Sequence, residues 1–234
     1  MKPEIVVLPD PATLAQEAAD RFVALARSAI ATQGRCAVAL SGGSTPRLLY
    51  EQLVTSPIEW QHVHIFWGDE RCVPPDHPDS NYGLAQRRLL SHVALPAQNV
   101  HRLKGELDPA QAAQQYEAEL RTFFGVQPRF DLIWLGLGRD AHTASLFPQT
   151  PALREEQRWV VAQHVDQLRA NRLTLTPLVL NQAANVIFLI VGSDKAVALR
   201  SVWHGPYDPA HFPAQIVRPT AGRVIWLVDQ AAMT

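Results

Sequence analysis

The chain has 234 residues, of which 47% are apolar and 18% are charged, and its formal net charge is -1 at pH 7. This composition excludes a disordered chain, and the near-zero charge argues against a general nucleic-acid or membrane-surface role. No apolar run approaches the roughly 20 residues that a membrane helix needs. From the charge and the lack of such a run, we expect neither a nucleic acid nor a membrane among the partners.

The cysteine content favours a reducing compartment. Cys36 and Cys72 are the only cysteines, and a pair is too few for a disulfide framework. The first residues, MKPEIVVLPDP, carry an acidic residue and prolines where a secretory signal has an apolar stretch. We therefore expect a cytoplasmic protein.

Strands and helices alternate in the first half of the chain. Residues 4–8 have the pattern of a short strand, and Asp10 followed by Pro11 is typical of a helix N-cap and first turn. The elements predicted after this point are a helix ending at Gly34, a strand at 36–40, a helix at 47–54, a strand at 63–67, a helix at 81–92 and a helix from Asp108 to Gly125.

The same alternation continues in the second half. The predicted elements are a central strand at 133–137, strands at 159–163 and 172–176, a short helix at 177–183, a buried strand at 186–191, a helix within GSDKAVALRSVW and a last strand at 224–228. This order predicts an α/β fold with one domain over residues 1–234. Its sheet is open and mostly parallel, with helices on both faces.

The segment SGGSTP, residues 41–46, follows the second predicted strand and opens a helix. Glycines at a strand end let the backbone approach a ligand closely, and a helix N-terminus offers free N–H groups to an anion. Thr45 suits the N-cap position and Pro46 the first turn. The segment therefore predicts a phosphate cradle, although a tight turn without a ligand uses the same residues.

Three further stretches carry cations toward the same edge of the sheet. GDER, residues 68–71, follows the third strand. The Arg71 guanidinium is suited to bind a phosphate, a carboxylate or a developing negative charge. The alternative is that Asp69, Glu70 and Arg71 form only a structural set of ion pairs. Lys195 lies at a predicted helix start, where the helix dipole disfavours a cation unless an anion binds there; the alternative is a surface lysine paired with Asp194. Arg172 starts the RLTLTP strand and is a further possible anion contact.

The loop after the central strand, RDAHTASLFP, contains Asp140, His142, Thr143 and Ser145. Histidine titrates near neutral pH, and this loop falls in the ligand crevice of an open α/β sheet, so His142 is the candidate proton carrier. The alternative is a turn with an exposed histidine.

Two weaker patterns do not change this interpretation. The stretch GLGRDA matches a dinucleotide fingerprint only loosely, and prolines soon follow it. His62 and His64 lack a third metal ligand nearby. We expect no cofactor and no metal.

Side by side, these motifs resemble the 6-phosphogluconolactonases. LSGGSTP, WGDER with the later SNYGLAQRRLL, LGLGRDAHTASLFP, RLTLTP and GSDKA stand in the order of that family over nearly the whole chain. The resemblance implies a modified Rossmann-like fold shared with the glucosamine-6-phosphate deaminases. The deaminases have an Asn-Glu-Pro context after the histidine and an LDEY-like motif in place of WGDER. The family usually has glycine where this chain has Ala141, which matters if residue 141 needs a positive φ.

The resemblance also implies a reaction: hydrolysis of 6-phospho-D-glucono-1,5-lactone in the pentose phosphate pathway, without cofactor or metal. His142 would act as the base that activates water, Asp140 would orient its imidazole, and Arg71 or backbone N–H groups would stabilise the oxyanion. The residues expected to bind the sugar phosphate are Ser41, Gly42, Gly43, Ser44, Thr45, Asp69, Arg172 and Lys195. Which cation meets the phosphate and which the oxyanion stays open.

Two alternatives belong to other classes. An aldose–ketose deaminase or isomerase would need a carboxylate base, and a sugar-phosphate sensor would need a helix-turn-helix segment that this chain does not display. We expect a monomer or weak homodimer whose partner is a small sugar-phosphate lactone.

Overall fold

Within residues 3–234, which a computed structural model describes, the chain forms nine strands and six α-helices. The strands are β1 (Glu4–Leu8), β2 (Cys36–Leu40), β3 (Val63–Trp67), β4 (Asp69–Arg71), β5 (Leu132–Leu135), β6 (Val160–Val165), β7 (Ala170–Leu175), β8 (Asn185–Ile190) and β9 (Arg223–Asp229). The helices are α1 (Pro11–Gln33), α2 (Ser44–Val54), α3 (Asn81–Arg88), α4 (Pro109–Phe124), α5 (Pro177–Leu180) and α6 (Ala196–His204).

Six strands form one parallel sheet in the order β1-β9-β8-β5-β2-β3. Every residue of the central strands β2 and β5 is buried, as expected for strands covered on both faces. The chain proceeds from β1 through β2 to β3 in one direction, and from β5 through β8 to β9 in the other. Right-handed crossovers therefore place α1 and α2 on one face and α6 on the opposite face. The predicted mostly parallel α/β fold is confirmed.

The direction of the chain reverses between β2 and β5, which are neighbours in the sheet. At such a switch point the loops that leave two adjacent strands separate to opposite faces and open a crevice at the carboxyl ends. The loops leaving β2 and β5 are the glycine-rich segment and the histidine-containing segment, so the topology brings these two motifs to one place.

A second, smaller sheet was not predicted. Strands β4, β7 and β6 pair antiparallel, and β6 and β7 form a hairpin. The sequence indicates both hairpin strands but not their separation from the parallel sheet. GDER, predicted at the end of the third strand, instead contributes a separate strand, β4, to the small sheet. A three-residue strand has no recognisable periodicity, so only its pairing with β7 reveals it.

Helix boundaries follow local signals in most places. Asp10 caps α1 by accepting a hydrogen bond from the Thr13 backbone N–H at 2.8 Å, and Gly34 ends the helix with a φ of 77°. The expected start of α2 is wrong, because the helix begins at Ser44. Thr45 therefore lies inside the first turn and Gly43 occupies the N-cap position. Gly43 has a φ of 102°, a conformation that only glycine adopts readily. The N-cap of α2 therefore lies two residues before Thr45, the predicted N-cap.

Candidate active site

A cavity of about 520 Å³ opens at the switch point, a volume typical of small-molecule sites. The segment after β2, the long loop after β5, the end of β8 and the small sheet each contribute to its wall. The predicted site residues in this wall are Ser41, Gly42, Gly43, Ser44, Thr45, Asp69, Arg71, Asp140, His142, Arg172 and Lys195. The structure thus brings together residues that lie up to 154 positions apart in the sequence.

The glycine-rich segment is fitted closely against α3. A Cβ added at Gly42 would lie 1.6 Å from Oδ1 of Asn81, so no larger residue fits there without movement. Ser41 is almost completely buried, and its hydroxyl oxygen has no hydrogen-bond partner within residues 3–234. The segment ends in the first turn of α2, whose unpaired N–H groups favour an anion.

His142 is held by Asp140, its neighbour two positions earlier. Nδ1 of His142 lies 2.5 Å from Oδ1 of Asp140, and the backbone N–H of His142 donates to the same oxygen at 3.2 Å. An ionised carboxylate only accepts hydrogen bonds, so Nδ1 carries the proton and Nε2 is the basic nitrogen of the neutral ring. Burial alone would raise the pKa of Asp140, but the hydrogen bonds and charge of His142 outweigh it and hold the pKa below its usual value.

The imidazole is also confined by Phe147 and by the backbone at Gly138. The ring of Phe147 stacks on it with centroids 4.2 Å apart and planes inclined by 29°. A Cβ added at Gly138 would lie 2.0 Å from Nδ1 of His142, so the backbone at Gly138 approaches the ring closely. The ring therefore has one orientation available to it, as general-base chemistry requires.

Ala141, between Asp140 and His142, adopts a left-handed conformation with a φ of 63° and is buried. The position therefore does require positive φ, and alanine there carries strain that glycine would avoid. The neighbouring Ala144 also has a positive φ, of 48°. The loop keeps its turn despite the substitution, because the Ala214 N–H donates to the Ala141 carbonyl oxygen at 3.0 Å.

The two carboxylates of GDER have different roles. Asp69 lines the cavity, and its carboxylate accepts hydrogen bonds from Oγ of Ser145 at 2.6 Å and Nδ2 of Asn81 at 3.2 Å. Glu70 is buried and accepts from the backbone N–H groups of Arg71, Asn81 and Tyr82 at 2.7–2.8 Å. Burial raises the pKa of Glu70 although these N–H groups oppose it. Glu70 thus holds the loop before α3 rather than facing the cavity.

Two guanidinium groups face the cavity from adjacent strands. Arg71 on β4 is directly opposite Arg172 on β7. Arg71 donates to the carbonyl oxygen of Asp79 and Arg172 to that of Asn171, so both bond to neutral oxygens. Burial, with the like charge of Arg71, lowers the pKa of Arg172. Two cations placed opposite one another in a cavity wall favour an anionic ligand.

Lys195 ends a 3₁₀ turn, Ser193–Lys195, immediately before α6. Its Nζ lies 3.4 Å from Oδ2 of Asp194, and the side chain lines the cavity. The two interpretations of this lysine are therefore compatible, because it pairs with Asp194 and still borders the cavity.

Several residues of the cavity wall were not identified from the sequence as site residues. Phe147 and Ser145 belong to the same sequence motif as His142, and both line the cavity. Their closeness to His142 in the sequence could have identified them as site residues. Arg139 gave no signal of its own. Gln167 and Leu168 come from the turn of the β6–β7 hairpin, which approaches the cavity only through the unpredicted small sheet.

Two other kinds of feature are absent from residues 3–234. No group of three or more histidine, cysteine, aspartate or glutamate side chains there is arranged to hold a metal ion. In that same part of the chain, no helix combines the length and apolar character required to cross a membrane.

Comparison with known proteins establishes the family and the fold. A family described as glucosamine-6-phosphate isomerases/6-phosphogluconolactonase matches residues 9–226. A 6-phosphogluconolactonase of Synechocystis is 44% identical, with 99% of this chain and 98% of that protein covered. The crystal structure of a 6-phosphogluconolactonase from Thermotoga maritima superposes with a TM-score of 0.87 at 29% identity, covering 98% of this chain and 100% of that one.

The fold is also shared with a different activity. The structure of a monomeric glucosamine-6-phosphate deaminase superposes with a TM-score of 0.83 at 21% identity, covering 98% of each chain. At that identity the likeness concerns the fold alone, so the site residues must distinguish the two chemistries.

Proposed function

The chain belongs to the glucosamine-6-phosphate isomerase/6-phosphogluconolactonase family, and we propose that it hydrolyses 6-phospho-D-glucono-1,5-lactone to 6-phospho-D-gluconate in the pentose phosphate pathway, without a metal ion. The observation that carries the proposal is the His142–Asp140 pair, with Nδ1 and Oδ1 2.5 Å apart, in the same cavity as the glycine-rich segment. A fixed basic nitrogen and a phosphate-binding loop are the two elements that hydrolysis of a phosphorylated lactone needs.

The reaction requires one proton carrier. A lactone is an activated ester, so water attacks its carbonyl carbon directly while Nε2 of His142 takes a proton from that water. The new C–O bond converts the carbonyl oxygen into an oxyanion. When the bond between this carbon and the ring oxygen breaks, the imidazolium returns its proton to the ring oxygen, and the acid product forms without a covalent enzyme intermediate.

Asp140 serves this cycle in two ways. Its hydrogen bond fixes the tautomer in which Nε2 is free to accept a proton, and its charge stabilises the imidazolium that forms during the reaction. The lowered pKa of Asp140 keeps the carboxylate ionised at neutral pH.

The cations divide between the two ends of the substrate. Arg71 stabilises the oxyanion, and Arg172 and Lys195 join residues 41–45 in binding the phosphate. Asp69, with its carboxylate held by Ser145 and Asn81, offers an acceptor to the sugar hydroxyl groups. Because the phosphate lies far from the carbonyl, its binding energy aligns the carbonyl with His142.

The test is a lactone-consumption assay against the background of spontaneous hydrolysis. We expect enzymatic turnover of the phosphorylated lactone, little turnover of unphosphorylated gluconolactone, and full activity after exhaustive treatment with a chelator. Ammonia release from glucosamine 6-phosphate is measured in parallel. Ammonia release without lactone turnover would overturn the proposal, and activity lost to the chelator and restored by one divalent ion would overturn its metal-free mechanism.

A further inference from the structure

We propose that Arg139, positioned by Asp194, is a specificity-determining residue that binds the phosphate group beside Lys195. The inference rests on the proposed function, because it assigns a role in the same cavity. It adds a cation to the end of the cavity where the phosphate lies and gives Asp194 the task of holding that cation in place.

Oδ2 of Asp194 interacts with two cationic side chains that come from two different loops. Nε of Arg139, in the loop after β5, donates to Oδ2 of Asp194 at 2.8 Å, and Nζ of Lys195 lies 3.4 Å from the same oxygen. Arg139 and Lys195 both line the cavity. The loop that carries the His142–Asp140 pair is thus tied to the loop before α6 at the cavity edge.

The hydrogen bond leaves most of the guanidinium available. Within residues 3–234 the hydrogen bonding of Arg139 involves Nε alone, so Nη1 and Nη2 remain without a partner. The Arg139 side chain is 78% exposed, which keeps these nitrogens accessible to a ligand. Two parallel N–H donors on a planar fork match two oxygens of a phosphate.

The charges of this cluster also favour a phosphate. Two cations share one carboxylate, so the cluster retains a positive charge. The hydrogen bond from Arg139, followed by the charge of Lys195, holds the pKa of Asp194 below its usual value, so this carboxylate stays ionised at neutral pH. A phosphate dianion bound between Arg139 and Lys195 would balance the remaining charge.

A structural role alone does not account for the arrangement. An exposed ion pair such as Arg139–Asp194 adds little to the stability of the fold. Fixing an exposed arginine through Nε does, however, reduce the side-chain entropy that is lost when Nη1 and Nη2 bind a ligand. The consequence of removing Arg139 should therefore appear in binding rather than in folding.

The first experiment compares Arg139→Gln with wild type on phosphorylated and unphosphorylated lactone. We expect KM for the phosphorylated lactone to rise about 3- to 10-fold, the effect of one charged hydrogen bond reduced by solvent exposure, with kcat within about 2-fold. Kinetics on the unphosphorylated lactone should not change. The matched control is Arg88→Gln, which removes an equally charged arginine from an exposed pair with Glu51 (2.9 Å) outside the cavity and should leave both substrates unaffected.

The second experiment tests the positioning role of Asp194. If Asp194 only neutralised positive charge, Asp194→Asn would lower KM for the phosphorylated lactone. We expect instead a rise of about 3-fold, and no further loss when Asp194→Asn is added to Arg139→Gln, because both changes remove the same oriented guanidinium. A lower KM in Asp194→Asn would refute the positioning role.

Failure of this inference and failure of the proposed function have different signatures. If the wild type turns over the phosphorylated lactone and Arg139→Gln has the same kinetics on it, only the role of Arg139 is overturned. Absence of wild-type turnover would overturn the proposed function. In that case calorimetric titration with 6-phosphogluconate still decides the role of Arg139, because weaker binding to Arg139→Gln supports it and equal binding refutes it.

Discussion

Nδ1 of His142 lies 2.5 Å from Oδ1 of Asp140, and the stacked ring of Phe147 confines the same imidazole from one face. Two independent contacts therefore determine which nitrogen of His142 is basic and how the ring is turned. The imidazole is thus already oriented for the proton transfer that the proposed function assigns to it.

His142→Asn should lower kcat by about 10²- to 10⁴-fold and change KM little, because asparagine cannot accept a proton at neutral pH. His211→Asn is the matched control, since His211 forms a similar pair with Asp208 (2.7 Å) and does not line the cavity. Steady-state kinetics on the phosphorylated lactone check both variants. Near-native turnover in His142→Asn would mean that the base is another group, with Asp140 the next candidate.

Gly42→Ala should reduce kcat/KM by about 10²-fold, because the new Cβ would collide with the Asn81 amide and shift the glycine-rich segment by a fraction of an ångström or more. Asn81 cannot yield easily, since its Nδ2 is held by the Asp69 backbone oxygen at 2.9 Å. Gly68→Ala serves as the control, because its Cβ would meet only the Leu40 oxygen at 3.6 Å.

The same pair allows a test by double substitution. Asn81→Ala removes the atoms that the new methyl group would strike, so Gly42→Ala should be less harmful in the Asn81→Ala background than in the wild type. If the fold-loss of kcat/KM in the double variant equals the product of the losses in the two single variants, the effect of Gly42→Ala does not have a steric origin.

Ala141→Gly should stabilise the protein by about 0.5–1 kcal/mol, because glycine adopts a φ of 63° without the penalty that alanine incurs, while the lost methyl group offsets part of the gain. Ala118→Gly on the exposed face of α4 should instead destabilise it by about 1 kcal/mol. Urea unfolding measures both. If the two substitutions destabilise equally, residue 141 carries no strain.

His64 should make stability depend on pH in the acidic range. Burial, then the charges of His101 and Arg35, lowers the pKa of His64 to about 4. The unfolded chain, with a histidine pKa of about 6.5, therefore binds more protons than the folded chain between these values, so stability rises with pH from about 4 to 6.5. The contribution should be about 1–2 kcal/mol after allowance for partial exposure.

Unfolding experiments at a series of pH values test this slope. His64→Gln should flatten the dependence of unfolding free energy on pH over that window, whatever it does to overall stability. His62→Gln, which changes an exposed histidine in the turn before β3, should leave the slope unchanged. An identical slope in wild type and His64→Gln would show that His64 is not the titrating group.

Local sequence signals determined most of the parallel sheet and the identity of its functional loops. Apolar runs of strand length located β2, β5 and β8, and Asp10, Pro11 and Gly34 marked the ends of α1, because caps and periodicity depend on neighbouring residues. The placement of SGGSTP and the His142 loop at one edge also followed from the sequence, since parallel strands have their carboxyl ends on the same side.

Tertiary structure alone decided the contacts that shape the site. Arg71 faces Arg172 because β4 and β7 pair across about 100 residues of chain, and a three-residue strand has no pattern of its own. Gly42 must be glycine because Asn81, on another helix, occupies the space beside it. Arg139 meets Lys195 through Asp194 because β5 and β8 are neighbours in the sheet. These relationships depend on which distant segments pack together, and long-range packing leaves no periodic trace in the residues on either side.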